Sequence, residues 1–316
     1  MPIRAVFFDH QLQVVQCAYP TPGEGEALIR LRVGGICNTD LELMQGYKRF
    51  SGPLGHEFVG EVIAGPEEWL GRRVVGEINI HCGQCDLCQR GIFTQCRQRR
   101  VLGIMNYDGA FADVFRLPVQ NLHLVPESLA DEEAVFTEPL AAACQVVEAV
   151  HIQPTDRVVL LGAGKLGLLA AQVLRLTGAD LSVIVRRERQ KSLLAMWGIH
   201  AVGREDMSDA SADVVVDCTG RAEGFADALD LIRPRGTLVL KSTYAGIPQA
   251  DLTRLVVNEI RVVGSRCGPF GAALRLLEQR LVDVRSMIDA EYSLDEAVSA
   301  FERASEPGVL KVLLRL

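Results

Sequence analysis

Val158-Val159-Leu160-Leu161-Gly162-Ala163-Gly164-Lys165-Leu166-Gly167 joins a short apolar run to a glycine-rich turn, and an apolar helix-type stretch follows to about Leu176. A Gly-x-Gly-x-x-Gly pattern alone is weak. Between a strand and a helix it acquires a mechanism, because the glycines allow a tight turn and a close approach of pyrophosphate to the helix N-terminus. Strand-type runs recur at Leu181 to Val185, Val214 to Asp217, Thr237 to Leu240 and Ile260 to Gly264, with helical stretches between some of them. That alternation predicts a doubly wound parallel sheet. Gly162, Gly164, Lys165, Leu166 and Gly167 are then the expected dinucleotide contacts.

The second strand decides which dinucleotide. An NAD-selective domain usually ends that strand with an acid that holds both ribose hydroxyls. Here Val183-Ile184-Val185 runs into Arg186-Arg187-Glu188-Arg189. Cations stand where the acid is expected, and guanidinium groups suit a 2′-phosphate through paired hydrogen bonds. The pattern favours NADP, with NAD possible. The alternative is a solvated helix start at these arginines, with Glu188 holding the ribose. Thr219, Ser242 and Arg266 are further candidates for lining the cofactor pocket.

Toward the N-terminus, Ala27 to Val33 alternates apolar and polar positions and predicts a half-buried strand that Gly34-Gly35 breaks. Ile36-Cys37-Asn38-Thr39-Asp40 follows, then Gly55-His56-Glu57, and much later Thr137-Glu138-Pro139. Cys37, His56, Glu57 and Glu138 are zinc-ligand types, and an open catalytic site is assembled from separate loops in this way. Proline is tolerated in a first helical turn, so Glu138 stands at a helix mouth. Each residue alone reads more blandly: a buried thiol, a core histidine, a helix-start carboxylate. The more specific local motif is Cys82-Gly-Gln-Cys85-Asp-Leu-Cys88, with Cys96 after seven residues. Four thiolates on a short lobe complete a tetrahedral zinc shell and leave no open position. His81 beside them is then a bystander.

Gly-Ile-Cys-Asn-Thr-Asp at 35–40 and Gly-His-Glu-x-x-Gly-x-Val at 55–62 resemble the zinc-containing branch of the medium-chain dehydrogenase/reductase superfamily. Within it the chain looks closest to the sorbitol- and threonine-dehydrogenase-like members, and the resemblance covers nearly the whole chain. It implies an α/β protein: a GroES-like β-rich catalytic domain over 1–130 with a structural zinc lobe at about 81–97, a Rossmann domain over 131–267, and a return to the catalytic domain over 268–316. It implies interconversion of an alcohol (a secondary alcohol, polyol or amino alcohol) and a carbonyl with NAD(P), and two zinc ions per chain. Cys37, His56 and Glu138 would hold the catalytic zinc, with Glu57 able to exchange in. Asp40 would fix the His56 tautomer, and Thr39 would relay the alcohol proton. Many relatives carry an outer relay histidine five residues after the cysteine; this chain has Glu42 there. Tyr47, Lys48 and Phe50 fall in a loop the family uses near substrate. Two rivals share the fold: a zinc-independent NADPH reductase, and a non-catalytic NADP- or zinc-binding protein.

Bulk properties agree with an enzyme of this kind. The 316 residues suffice for two domains, with 48% hydrophobic and 23% charged residues. A net charge of -7 argues against a general nucleic-acid surface. No apolar run is long enough to span a bilayer, and the first residues lack a signal-peptide core. Nine cysteines without such a leader point to metal binding rather than a disulfide framework. The expectation is a cytoplasmic homodimer or homotetramer acting on a small-molecule alcohol or carbonyl, with no membrane or nucleic-acid partner.

Overall fold

The structure, a computed structural model, describes residues 2–243 and 250–316. The chain divides into two compact units, Met1–Glu138 with Ala273–Leu316, and Pro139–Ala272.

The second unit is built on a six-stranded sheet, all parallel. Its order is His200–Val202, Asp180–Ile184, Arg157–Leu161, Ala212–Asp217, Ile232–Leu240, Arg261–Gly264. The chain starts in the middle, winds outward one way, then returns and winds the other way. Helices Lys165–Arg175, Glu188–Met196 and Glu223–Leu231 make crossovers. Strands covered on both faces read as apolar runs, as Val158 to Leu161 and Val214 to Val216 do. The winding reverses between Arg157–Leu161 and Ala212–Asp217, and ligands of open α/β sheets bind beyond the strand ends at such a switch point.

In the first unit a seven-stranded sheet runs Leu122–Leu124, Arg73–Gly76, Phe58–Ala64, Glu26–Gly35, Lys311–Arg315, Ile288–Ser293, with Val114–Pro118 also paired to Glu26–Gly35. The central strand corrects one expectation, because Gly34-Gly35 does not break it. Gly34 pairs with Phe58 and Leu314, and Gly35 with Leu313. These glycines serve packing. A Cβ at Gly34 would lie 2.7 Å from the Phe111 ring, and one at Gly35 would lie 2.7 Å from Glu57 Oε2. The central strand therefore delivers the chain to Cys37 with a neighbour strand on either side. One follows directly on Glu57; the other begins at Lys311.

Candidate metal and cofactor sites

Cys37 caps the helix Asn38–Met44, and its N–H donates to Asp40 Oδ2 at 2.9 Å. The other oxygen of Asp40 lies 3.1 Å from His56 Nδ1, close although off the ideal hydrogen-bond line. Asp40 is fully buried and so ties the helix start to the imidazole; helix cap and histidine partner are one residue. His56 leaves a turn that only glycine allows. Gly55 has φ +101°, and a Cβ there would lie 2.3 Å from Phe111. One donor atom each from Cys37, His56 and Glu57 lies within 4.8 Å of the others.

Charge accumulates here on buried side chains, Asp40, His56 and Glu57. Burial alone would lower the pKa of His56, but the charges of Asp40 and Cys37 outweigh it and hold the imidazole well above its usual range. Such a site suits a cation that can replace protons. Glu57 is buried; Oε2 accepts a short hydrogen bond from Lys311 Nζ, while Oε1 has no hydrogen-bond partner. Lys311 is itself buried, and its ammonium lies 5.2 Å from the centre of the Phe136 ring. Burial works against its charge, yet Glu57, Cys37 and Glu138 together raise its pKa. Glu138 stands in the first turn of Thr137–Ala149 and is outside the close group of three, though its charge reaches Lys311. Thr39 is half-buried on the first turn after Cys37. One turn further, Glu42 accepts from Asn38 Nδ2 at 3.0 Å, and partial burial raises its pKa.

The sulfurs of Cys82, Cys85, Cys88 and Cys96 form a second group. Recorded spacings are 3.5 Å for Cys85–Cys88, 3.9 Å for Cys85–Cys96 and 3.5 Å for Cys82–Cys96. A tetrahedron with zinc–sulfur bonds of about 2.3 Å has edges of about 3.8 Å, so the cage has the size zinc needs. None of the four is in a disulfide. Backbone N–H groups of Arg97 and Cys88 bring the Cys85 thiol down to about 6, which favours the thiolate a metal binds. His81 is not one of this group, and its ring stacks on Phe93 with ring centres 4.3 Å apart.

In the second unit the three fingerprint glycines do different things. A Cβ at Gly162 would lie 2.9 Å from Cys218 O, and one at Gly167 would lie 2.0 Å from Gly162 O. Both are needed by the protein's own packing. A Cβ at Gly164 would meet nothing within 4 Å, so its lack of a side chain leaves room for something outside the chain. It sits at the N-terminus of the helix Lys165–Arg175, where a pyrophosphate is expected. Lys165 and Leu166 form that helix's first turn and are partly exposed.

The loops beyond the neighbouring strands are cross-tied. Thr219 Oγ1 donates to Asp217 Oδ1 at 2.7 Å, and Ser242 Oγ accepts from Gly220 N at 2.8 Å. Arg186 and Arg187 are exposed, and Arg187 caps the helix Glu188–Met196. The Glu188 carboxylate is 2.8 Å from Lys191 Nζ, turned along its own helix. Arg266 is exposed, with Nε 3.2 Å from Cys267 Sγ.

Lys311 is the site residue that motif reading passed over. The signal was present: a single lysine inside Val309-Leu310-Lys311-Val312-Leu313-Leu314. A charge inside an otherwise apolar strand is rare unless paired.

Comparison with known proteins gives the family. The family described as "Alcohol dehydrogenase GroES-like domain" matches residues 23–127, and "Zinc-binding dehydrogenase" matches residues 166–279, together more than half of the chain. The chain is 30% identical to a sorbitol dehydrogenase of Halalkalibacterium halodurans, covering 93% of each. It is also 30% identical to an L-threonine 3-dehydrogenase of Pyrococcus abyssi, over 96% of this chain and 95% of that one. A crystal structure of a zinc-binding dehydrogenase from Sinorhizobium meliloti bound to NADP superposes with a TM-score of 0.91 at 28% identity, covering 100% of both chains. Two family matches in order along the chain and two full-length relatives at this identity lead to one conclusion: the chain belongs to the zinc-dependent medium-chain dehydrogenase/reductase superfamily and is an NAD(P)-dependent dehydrogenase.

Proposed function

We propose that this dehydrogenase interconverts a secondary alcohol of the polyol or amino-alcohol class and its ketone at a zinc held by Cys37, His56 and Glu138, with Glu57 able to exchange in and NADP as the preferred cofactor. The observation that carries the reading is the convergence of Cys37, His56 and Glu57 donor atoms within 4.8 Å, with His56 and Glu57 buried and Cys37 half-buried. Zinc bound there supplies a Lewis acid that lowers the pKa of a substrate hydroxyl. Asp40 fixes which imidazole nitrogen is free to ligate. Thr39 is the hydroxyl that passes the substrate proton outward, and Glu42, held to Asn38, stands one turn beyond it. Cys82, Cys85, Cys88 and Cys96 hold a second, purely structural zinc.

NADP is preferred because Arg186 and Arg187 are exposed guanidinium groups at the end of the second strand, while Glu188 is engaged with Lys191. Arg186→Ala with Arg187→Ala should raise KM for NADP about 10–100-fold and leave KM for NAD within about threefold, as expected from losing charge-assisted phosphate contacts. Equal effects on both cofactors would remove this assignment.

Oligomerisation through the second unit is supported by exposed apolar residues beside and on its edge strand: Leu252, Val256 and Val257 at 66%, 77% and 73% exposure, and Val262 at 40%. A cytoplasmic setting is supported by the nine cysteines, none of which is in a disulfide among the described residues. No helix among the described residues is long and apolar enough to cross a membrane.

The decisive experiment is zinc per chain, without chelator or added metal, for the wild type and Cys37→Ala. About two ions falling to about one fits one closed and one open site. About one in both proteins, with no second ion after zinc is added, would sink the metal mechanism. A panel of polyols and amino alcohols, run with NADP and NAD side by side, then defines the substrate.

A further inference from the structure

In the second unit Lys241 is buried, at 7% exposure, just past the end of the strand Ile232–Leu240. Its ammonium donates to Arg266 O at 2.5 Å and to Ser265 O and Oγ at 3.4 Å each. Those acceptors lie just past the end of the neighbouring strand, Arg261–Gly264. There Leu240 pairs with Gly264, and Ser265 N donates to Leu240 O at 3.0 Å. Beyond that rung the Lys241 side chain takes over the tie. Ser242 faces the other way. Its hydroxyl accepts from Gly220 N at 2.8 Å and donates to Asp217 O at 3.3 Å, at the end of the strand on the opposite side, Ala212–Asp217. Successive side chains of an extended chain alternate, so positions 241 and 242 brace both neighbours. Three strand ends are fixed in one row.

That row is one half of a dinucleotide platform. A doubly wound sheet binds a dinucleotide across its switch point, with one mononucleotide on each half. The switch here lies between Arg157–Leu161 and Ala212–Asp217. Arg186 and Arg187 follow the strand Asp180–Ile184 and mark the adenosine half in the NADP reading. The nicotinamide mononucleotide then falls to the three strands on the other side. Lys241 is also near enough to the fingerprint turn for its charge to act on Cys218, whose carbonyl oxygen lies against Gly162.

An ammonium taken out of water is costly unless its protons are met, and an apolar side chain of similar length would fill the space at less cost. This one is spent on two backbone carbonyls and a hydroxyl. We propose that Lys241 is a positioning residue for the cofactor: it sets the backbone at Ser265 and Arg266 so that the exposed Arg266 guanidinium meets the phosphate of the nicotinamide half. The inference rests on the dinucleotide reading of the second unit. It adds a residue that shapes the cofactor site without touching the cofactor.

The test is equilibrium binding to the whole enzyme of two probes: NADPH, followed by its fluorescence, and adenosine 2′,5′-bisphosphate, the adenosine half alone, followed by calorimetry. Lys241→Met should weaken NADPH about 10–100-fold, the order of a lost charge-assisted phosphate contact, and leave the adenosine half within about threefold. Arg266→Ala should show the same split. The double variant should bind NADPH no more weakly than the weaker single variant, because one residue acts through the other. Arg266 is exposed, so its variant keeps the test open even if Lys241→Met does not fold.

Unchanged NADPH binding in either single variant would overturn the proposal. So would an equal loss of both probes in Lys241→Met, the mark of a general loosening of the unit, or losses that multiply in the double variant. A wild type that binds NADH and not NADPH would remove the NADP preference alone, and the same arms then run with NADH and AMP. A wild type that binds neither would remove the dinucleotide reading, and this inference with it.

Discussion

The two donor clusters are made from similar atoms and built in opposite ways. The four sulfurs come from one stretch, Cys82 to Cys96, at the spacing of a tetrahedron, and need little beyond nearby backbone N–H groups. The Cys37 group is gathered from distant segments, with His56 and Glu57 buried and Cys37 half-buried, and it is bordered by charged residues that are not themselves close donors: Asp40 against His56 and Lys311 against Glu57. A closed shell satisfies its own ligands. An open shell leaves ionised groups facing a vacant position in a low-dielectric interior, where each needs a counter-charge. Residue spacing sets the first kind of site; strand order sets the second.

This contrast can be broken or sharpened by mutation. The largest effect is expected at the open site. Cys37→Ala should cut kcat/KM by about a thousandfold or more, since a Lewis acid contributes several kcal/mol and each ~1.4 kcal/mol is a factor of ten. Thermal melting of that variant should hardly move. At the closed site the pattern reverses. Cys85→Ala should lose the other zinc and lower Tm by about 5–10 °C, while kcat/KM at 25 °C stays within about threefold. Two variants with the same loss of both activity and Tm would erase the distinction.

Two glycines extend the comparison to smaller effects. Gly35→Ala places a Cβ 2.7 Å from Glu57 Oε2 and 3.3 Å from Val135. Overpacking of this kind costs about 1–3 kcal/mol, read by denaturant unfolding, and should also weaken metal retention at the Cys37 site. Gly83 has φ +72° with nothing within 4 Å of an added Cβ. Gly83→Ala should therefore cost only about 1 kcal/mol of backbone strain and leave zinc at two per chain. A larger loss at Gly83 than at Gly35 would mean that the lobe, not the buried site, is the tighter construction.

Local rules control several features of this chain. The fingerprint turn, the parallel strands and the four-cysteine lobe each follow from a few neighbouring residues. Gly34-Gly35 was misread because glycine weakens a strand by propensity, whereas here Phe111 and Glu57 need the space its missing side chain leaves. Asp40, expected as the partner of His56, also accepts from the Cys37 N–H at the helix start, so its two oxygens serve two roles. Lys311 carries one local signal, a charge in an apolar strand, and nothing local names its partner.

By itself the sequence determined the fold class, the dinucleotide turn and the closed sulfur cage, because hydrophobic period, glycine placement and cysteine spacing act over a few residues. Tertiary structure alone decided that Glu57 meets Lys311, a pairing across 254 positions of chain. That contact depends on which strands lie beside Glu26–Gly35. Strand order minimises the free energy of the whole sheet and its core, and no local segment encodes it.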